Sequence, residues 1–268
     1  MSLFICSLNS GSNGNCYYVG NGQEAVLIDV GISCRETEKR MLQLGLNISK
    51  VRAIFISHEH SDHITGVPVL ARKYQLPVHI TENTYRMSEL SLDENLITEL
   101  KIGITINIGG LNIIAFSKNH DACDPTSFIV SSDTVKVGIF TDIGRVCKNL
   151  VTHFKQCHAA FLEANYDEEM LATGRYPYFL KKRITGGNGH LSNTEALKLC
   201  LDHRPKFMSH LFLSHLSKEN NCPDLVKALF QKNLGNLEIV IASRYEATKV
   251  YNIAPSSIKR PVAQLSLF

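Results

Sequence analysis

Short apolar runs of strand length recur along the chain and alternate with stretches whose apolar residues have helical spacing. Residues 25–28 and 51–56 are two such apolar runs, and a group of histidines follows the second. Ser33 precedes an amphipathic stretch to about Leu44, where Gly45 provides a stop signal. Strands that alternate with helices predict an α/β fold, an αββα sandwich in which two sheets pack together and helices cover their outer faces.

The same hydrophobic patterns predict strands and helices over most of the remaining chain. Further strands are predicted at 3–8, 16–19, 77–80, 104–107, 111–116, 127–131, 135–140, 159–162, 207–213 and 238–242. Further helices are predicted near 63–74, from the capping box of Ser192 and Glu195 to about Leu201, and from Pro223 onward. Between the first two strands, the glycine- and asparagine-rich residues 9–15 are predicted to form tight turns.

Length and composition describe an ordinary globular protein. The chain has 268 residues, of which 44% are hydrophobic and 20% are charged, and this length fits one sizeable domain. We predict that domain over residues 1–253 and an exposed linker and terminal peptide over 254–268. No stretch reaches the ~18 unbroken apolar residues of a membrane span, so a membrane protein is not expected.

The cysteines and the amino terminus predict a cytoplasmic location. The eight cysteines contain no C-x-x-C pair, which favours reduced, buried thiols over a zinc knuckle or a disulfide framework. The first residues carry no basic leader, so export is not expected. A net charge of +3 is too small to indicate a nucleic-acid partner by itself.

The chemistry is concentrated directly after the strand at 51–56. The pattern His58-x-His60-x-Asp62-His63 supplies imidazoles and a carboxylate, which are good ligands for zinc and also suit manganese or iron. A turn after a strand can aim alternate side chains at one metal ion and the next two at a neighbouring ion. Four ligands of a site with two divalent metal ions then come from one loop.

This pattern resembles the H-x-H-x-D-H signature of the metallo-β-lactamase superfamily. Further superfamily landmarks occur in the same order along the chain, namely Asp29, His120, Asp142 and His215. The resemblance implies a metallo-β-lactamase αββα sandwich with two metal ions. It assigns His58, His60 and His120 to the first ion, Asp62, His63 and His215 to the second, and Asp142 to both.

Two of these assignments have alternatives. His210 competes with His215, because Ser209-His210-Leu211 repeats much of the sequence around His215. We prefer His215, which follows the apolar run that contains His210. Asp29 is expected to hold the metal loop through hydrogen bonds rather than to bind metal.

Three local features favour a phosphodiester substrate. Gly186 to Ser192 is a glycine-rich loop before a capped helix, where free backbone N–H groups could receive phosphate oxygens, although a plain turn is the alternative.

Glu163-Ala164-Asn165 and Gly189-His190-Leu191-Ser192 resemble the Glu-Ala-Thr and Gly-His-Ser-Thr elements of tRNase Z. That likeness implies that Glu163 orients His190, which helps the leaving oxygen depart; a structural salt bridge is the alternative role of Glu163. The catalytic candidates are therefore Asp62, Glu163 and His190. The basic run 181–183 could contact a polyanion but more often marks a solvated face.

The narrower resemblance is to the YycJ/WalJ group of bacterial metallo-β-lactamase-fold proteins. It rests on the segments 6–16, 163–167, 189–193 and 215–221. It implies a nuclease that acts on DNA through a hydroxide bridging the two metal ions, with a link to DNA repair. A small-molecule hydrolase such as a lactonase, thioesterase or cyclic phosphodiesterase is the alternative. A non-enzyme is disfavoured because every expected ligand type is present.

The last five residues suggest a protein partner. Gln264, Leu265, Ser266, Leu267 and Phe268 resemble the consensus by which peptides bind the bacterial DNA sliding clamp. In that mode the glutamine amide forms hydrogen bonds and the leucine and phenylalanine fill an apolar pocket. The alternative is a terminal strand or plug packed on the chain's own core.

Overall fold

The computed structural model describes residues 2–255 of the chain. The terminal peptide 264–268 lies outside them. Fourteen strands are described: β1 (Leu3–Asn9), β2 (Cys16–Gly20), β3 (Ala25–Ile28), β4 (Val51–Phe55), β5 (Val78–Ile80), β6 (Ile97–Glu99), β7 (Thr105–Ile108), β8 (Leu111–Ser117), β9 (Thr126–Ser132), β10 (Val135–Phe140), β11 (Ala159–Glu163), β12 (His210–Ser214), β13 (Glu238–Ile241) and β14 (Tyr251–Ile253).

Nine α-helices connect these strands, and short 3₁₀ turns occupy Ile48–Lys50 and Glu94–Leu96. The helices are α1 (Cys34–Gln43), α2 (Ser61–Ile64), α3 (Val67–Tyr74), α4 (Glu82–Ser88), α5 (Lys148–Phe154), α6 (Glu168–Thr173), α7 (Tyr178–Thr185), α8 (Asn193–His203) and α9 (Pro223–Leu234). Among the part of the chain described, no helix is long and apolar enough to cross a membrane.

The strands form two seven-stranded sheets with matching construction. Their orders are β14-β1-β2-β3-β4-β5-β6 and β13-β12-β11-β10-β9-β8-β7. Four neighbouring strands are parallel in each sheet, β3-β4-β5-β6 in the first and β10-β11-β12-β13 in the second, and the other neighbours are antiparallel. Parallel strands place their carboxyl ends on one edge, which is where open α/β sheets bind ligands.

Apolar side chains fill three layers, as an αββα sandwich requires. One cluster lies between the sheets and includes Phe55, Phe128 and Phe212. A second lies under α1 and α3, and a third lies under α5, α8 and α9. The predicted αββα sandwich is therefore confirmed.

Some predicted boundaries were wrong. The helix expected at 63–74 is two helices, because the chain turns at Thr65 and Gly66; a Cβ at Gly66 would lie 1.9 Å from the carbonyl oxygen of Ile32. The strand expected from residue 207 begins only at His210. Helices α4 to α7 and the edge strands β6 and β14 were not predicted.

Candidate metal centre and active site

The candidate site lies at the carboxyl ends of strands from both sheets. Asp29 follows β3, the histidine cluster follows β4, and Asp142 and His215 follow β10 and β12. Asp29, Asp142 and His215 have φ values of 58°, 54° and 55°, a left-handed conformation that is uncommon outside glycine. The chain therefore leaves each of these three strands through a sharp, strained turn, and such strain often accompanies functional sites.

Three histidines form the first group of ligand atoms. His58 Nε2 lies 3.0 Å from His60 Nδ1, and His120 Nε2 lies 3.4 Å from the same atom. These three nitrogens lie within 4.8 Å of one another. His58 and His60 come from the loop after β4, whereas His120 comes from the loop after β8 in the other sheet. The group therefore exists only because the two sheets pack face to face.

Asp62, His63 and His215 form the second group. Asp62 Oδ2 lies 3.6 Å from His63 Nε2 and 3.5 Å from His215 Nε2. The first two residues belong to α2, which follows the histidine loop, and His215 comes from the second sheet. This group again combines ligands from both sheets.

Asp142 lies between the two groups. Its Oδ1 is 3.8 Å from His120 Nε2 and 3.5 Å from His215 Nε2, and its Oδ2 is 3.1 Å from His63 Nε2. Asp142 Oδ2 and His215 Nε2 are buried and have no hydrogen-bond partner among residues 2–255. Buried polar atoms without partners are costly, so cations between these groups would satisfy them. The donor set therefore fits two divalent metal ions.

The other ring nitrogens are held by hydrogen bonds that fix the orientation of the imidazoles. Asp29 Oδ2 lies 2.7 Å from His63 Nδ1 and accepts a 2.7 Å hydrogen bond from Ser57 Oγ. That hydroxyl lies 2.8 Å from His58 Nδ1. Asp29 thus orients His63 directly and His58 through Ser57. Hydrogen bonds of this kind, made to the ligands from outside the coordination sphere, raise metal affinity and fix the ring orientation.

The glycine-rich loop before α8 orients His120. Nδ1 of His120 lies 2.9 Å from the carbonyl oxygen of Gly189. A Cβ on Gly189 would come within 2.2 Å of the carbonyl oxygen of Ile184, and one on Gly144 within 2.5 Å of the loop backbone. The close packing of this loop explains why glycines occupy it.

Glu163 is fully buried at the end of β11 and accepts four hydrogen bonds. Its Oε1 lies 2.8 Å from His190 Nδ1 and 3.0 Å from His215 Nδ1. Its Oε2 accepts from the backbone N–H groups of Ile143 and Leu191 at 2.6 and 3.1 Å. The pair of Glu163 and His190 expected from the sequence is therefore in contact, and His215 shares the same carboxylate.

The carboxylates give the site a negative potential. Burial opposes a proton on His63, yet Asp142, Asp29 and Asp62 outweigh it and raise the pKa of His63 to about 10. Burial would raise the pKa of Glu163, but His190 and His215 lower it to about 2. Burial, together with the nearby His63 and Lys118, holds the pKa of His58 well below the usual range. The second group therefore attracts positive charge more strongly than the first.

An open cleft gives access to this centre. It has a volume of about 360 Å³ and is lined by histidines of both groups, the carboxylates of Asp62 and Asp142, and His190. Four residues of the segment before the glycine-rich loop also line the cleft: Tyr176, Leu180, Arg183 and Ile184. A substrate in the cleft would therefore lie close both to the metal ligands and to α7.

The structure adds residues to which sequence reasoning gave no role in the site. Asn15 lies 3.1 Å from both Asp62 Oδ2 and His63 Nε2 through its side-chain amide. Asn165 donates a 2.8 Å hydrogen bond to the backbone oxygen of His215. The only signal for Asn15 was its place in a glycine-rich turn. His210, the competitor of His215, pairs instead with Glu238 at 3.1 Å.

Comparison with known proteins identifies the family. A model described as a β-lactamase superfamily domain matches residues 24–215. The chain is 38% identical over 231 residues to the exodeoxyribonuclease YycJ of Bacillus anthracis, covering 85% of this chain and 87% of that protein. It is 33% identical over 258 residues to the exodeoxyribonuclease WalJ of Streptococcus pneumoniae, covering 93% and 94%. The metallo-β-lactamase fold protein YhfI of Bacillus subtilis superposes with a TM-score of 0.73 at 15% identity, covering 94% of this chain and 99% of that one, and so shares the fold.

The chain belongs to the metallo-β-lactamase superfamily. Within it, the identity over nearly the full length of both relatives assigns the chain to the YycJ/WalJ family. The family and fold predicted from the sequence are confirmed. The relatives and the clustered ligand side chains also confirm the broader prediction of a metal-dependent hydrolase.

Proposed function

We propose that this protein is a metal-dependent exodeoxyribonuclease that hydrolyses phosphodiester bonds at a DNA strand end. The observation that carries the proposal is the position of the Glu163–His190 pair beside both groups of ligand atoms. The ring of His190 lies 5.3 Å from that of His120 and 5.2 Å from that of His215, between centroids. The names of the 33–38% identical relatives support the same activity.

The ligand assignment is part of this proposal. His58, His60 and His120 would hold one ion, Asp62, His63 and His215 would hold the other, and Asp142 would be a ligand of both. When bound, two divalent ions activate water and neutralise charge on the attacking and leaving oxygens. Zinc and manganese are the metals we propose first, and iron also accepts this set of nitrogen and oxygen donors.

The protein's own residues then position the substrate and move one proton. Glu163 holds Nδ1 of His190, so the opposite nitrogen, Nε2, is the one that meets a ligand in the cleft. A proton on Nε2 can pass to the leaving oxygen of the scissile bond, as in general acid catalysis. Asp62 would contribute as a ligand of the second ion. The buried, negatively charged Glu163 stabilises the positive charge of the protonated imidazole.

Cleavage assays test the reaction class. Protein reconstituted with zinc or with manganese is incubated with single-stranded DNA, RNA, bis-p-nitrophenyl phosphate and a set of lactones and thioesters. We expect hydrolysis of DNA and of the small phosphodiester. Turnover of a lactone or thioester without cleavage of any phosphodiester would favour the small-molecule hydrolase instead.

A second assay tests attack from a strand end. A linear oligonucleotide labelled at either terminus and a circular single strand of the same composition are compared. We expect mononucleotides from the linear strand and no cleavage of the circle. Fragments of intermediate length from the circle would show an endonuclease, and the terminus that releases label first gives the polarity.

The partner and the location extend the same proposal. We propose that Gln264, Leu265, Ser266, Leu267 and Phe268 dock on the bacterial sliding clamp, on the basis of their resemblance to its binding consensus. We also propose a cytoplasmic enzyme with a role in DNA repair. The eight free cysteines, five of them buried, support a reducing compartment.

A further inference from the structure

The glycine-rich turn after β1 connects the metal centre to the segment after β13. Ser10 Oγ accepts a 2.8 Å hydrogen bond from the backbone N–H of His215, and the backbone N–H of Ser10 donates to the carbonyl oxygen of Ser243 at 3.1 Å. Ser12, two positions further along the turn, lines the same cleft as His215. The turn therefore brings residues 243–245 next to the cleft.

Arg244 in that segment contacts the cleft lining through Ser12. Its Nη2 donates a 2.9 Å hydrogen bond to Ser12 Oγ. Gly11 leaves the space for the guanidinium group, because a Cβ at Gly11 would lie 2.9 Å from Nη2, and the φ of 135° at this position favours glycine. The carbonyl oxygen of Arg244 also accepts a 2.9 Å hydrogen bond from Asn13 Nδ2. The turn thus holds both the backbone and the side chain of this arginine.

Among residues 2–255, Arg244 has no acidic partner. Ser12 Oγ is the one hydrogen-bond partner of its guanidinium group within that range, and its Nε is buried without one. Arg183, which also lines the cleft, differs because it forms an ion pair with Asp121. A guanidinium group that is oriented but not neutralised suits an anion, since its planar N–H donors match the oxygens of a phosphate.

The cleft needs a positive group of this kind to accept a polyanion. Asp62 and Asp142 line it, and their carboxylates repel any phosphate whose charge no cation balances. Metal ions would compensate for this repulsion at the scissile phosphate. A phosphate elsewhere in the cleft requires a cation of the protein itself, and Arg244 supplies one beside Ser12.

We propose that Arg244 and Ser12 form a subsite for a backbone phosphate of the DNA substrate, other than the phosphate that is cleaved. The guanidinium group donates to the phosphate oxygens. Ser12 Oγ accepts its hydrogen bond from Arg244, so its own proton is available to the same phosphate. The inference rests on the proposed nuclease function and deepens it, because it assigns the positioning of the DNA backbone to the glycine-rich turn. Contacts to phosphate fix the position of a strand without reading its bases.

Binding without turnover tests the subsite first. Fluorescence anisotropy follows a labelled DNA duplex with a single-stranded tail, added to chelated full-length protein so that no cleavage occurs. Arg244→Gln should raise Kd about tenfold, roughly the effect of one charge-assisted hydrogen-bonded contact. It should also reduce the slope of log Kd against log salt concentration by about one, since one phosphate contact is lost.

Two further variants control this result. Arg52→Gln removes the same charge from an exposed position, the second residue of β4, and should keep the wild-type Kd and salt slope. Arg244→Lys keeps the charge without the planar group of donors, so it should restore the salt slope and part of the affinity. Equal Kd and equal salt slope for Arg244→Gln and Arg52→Gln would overturn the proposal.

Neutral linkages show whether the contact is made to phosphate. A duplex whose terminal linkages are methylphosphonates lacks the backbone charge there, so wild type should bind it about tenfold more weakly. Arg244→Gln should lose no further affinity for this duplex. A tenfold loss that persists on the neutral linkages would refute contact with a backbone phosphate.

Kinetics distinguishes a binding role from a structural one. Bis-p-nitrophenyl phosphate has a single phosphate and cannot occupy the subsite and the metal centre together. Arg244→Gln should therefore raise KM for DNA about tenfold more than KM for the small diester, and an equal loss with both substrates would refute the subsite. The proposed nuclease function fails separately, if metal-loaded wild type cleaves no phosphodiester. Because the anisotropy assay needs no turnover, each failure is recognised independently.

Discussion

Oε1 of Glu163 lies 3.0 Å from Nδ1 of His215, across 52 positions of sequence. The same oxygen is 2.8 Å from Nδ1 of His190. One buried carboxylate therefore orients both a proposed metal ligand and the proposed proton donor. Neither histidine can turn its ring without losing this contact.

Substitution of Glu163 should affect metal binding and catalysis together. In Glu163→Gln the buried negative charge is lost, and the amide NH2 must face either the two histidines or the backbone N–H groups of Ile143 and Leu191, where no acceptor waits for it. We expect metal affinity and kcat each to fall about 10–100-fold, the usual cost of removing an outer contact of a metal ligand. Metal titration and cleavage of bis-p-nitrophenyl phosphate measure the two effects.

His190→Ala should separate the same two properties. We expect a fall in kcat of at least about 100-fold, since general acid catalysis contributes that much, with metal content unchanged. Glu168→Gln, an exposed carboxylate on α6, is the matched control for both variants. If His190→Ala hydrolysed the substrate at the wild-type rate, His190 would not be the proton donor.

Asp142 should determine how many ions the protein retains. Its oxygens face ligands of both groups, and its Oδ2 is buried without a hydrogen-bond partner in the part of the chain that the structure describes. We expect wild type to bind two ions per chain after reconstitution with zinc or manganese, and Asp142→Ala to bind at most one. Elemental analysis measures the ratio, with Asp224→Asn as a surface control. Two tightly bound ions in Asp142→Ala would contradict the bridging assignment.

His79 should make stability depend on pH. Burial lowers its pKa to about 4, and its ring stacks on Phe55 with a centroid distance of 4.4 Å. As pH falls below about 6.5, His79 becomes protonated in the unfolded chain, whereas in the folded protein it stays neutral down to about pH 4. The free energy of unfolding therefore decreases over this range. Between pH 7 and pH 5 this contributes a loss of about 2 kcal/mol.

Urea unfolding of wild type and His79→Phe at both pH values measures that contribution. Phenylalanine preserves the stacking and removes the titrating group, so the variant should lose about 2 kcal/mol less than wild type. The histidines of the metal centre titrate in both proteins and cancel from the difference. An identical pH dependence in the two proteins would show that His79 is protonated without cost.

Gly31 should be required for the metal loop to pack. A Cβ at this position would lie 1.7 Å from the carbonyl oxygen of Asp62, which also accepts a hydrogen bond from Asn15. We expect Gly31→Ala to destabilise the fold by more than about 2 kcal/mol through overpacking. In Gly45→Ala the added methyl meets open space, and its φ of 68° costs only about 1 kcal/mol. Thermal unfolding compares the two, and equal melting temperatures would contradict the close approach.

Removal of residues 264–268 should affect a partner rather than the enzyme. We expect the truncated protein to lose binding to the organism's own sliding clamp. Melting temperature and metal-dependent hydrolysis should stay near wild-type values. Surface plasmon resonance with immobilised clamp provides the measurement, and a synthetic peptide of these five residues serves as competitor. A lowered melting temperature with no affinity of the peptide would instead indicate that the segment packs on the domain.

Local sequence determined much of this protein, because several signals need only neighbouring residues. The H-x-H-x-D-H pattern places four candidate ligands, three histidines and one aspartate, in six residues, and the apolar runs before it and before Asp142 mark strands by their length. Ser192 and Glu195 form the expected capping box at the start of α8. Helix α7 was not predicted, because its exposed Tyr178 and Phe179 break the apolar periodicity on which helix prediction depends.

Only the tertiary structure decided which distant residues share a contact. Glu163 meets His215, Asn15 meets Asp62, and His120 faces His60, and each pair is separated by at least 47 positions. These contacts depend on how strand ends align within a sheet and how the two sheets stack. No local sequence pattern determines the alignment of the strand ends or the stacking of the sheets, since register and packing are set by the whole core. The sequence therefore named the metal-binding residue types, and the packed sheets determined which carboxylate holds which histidine.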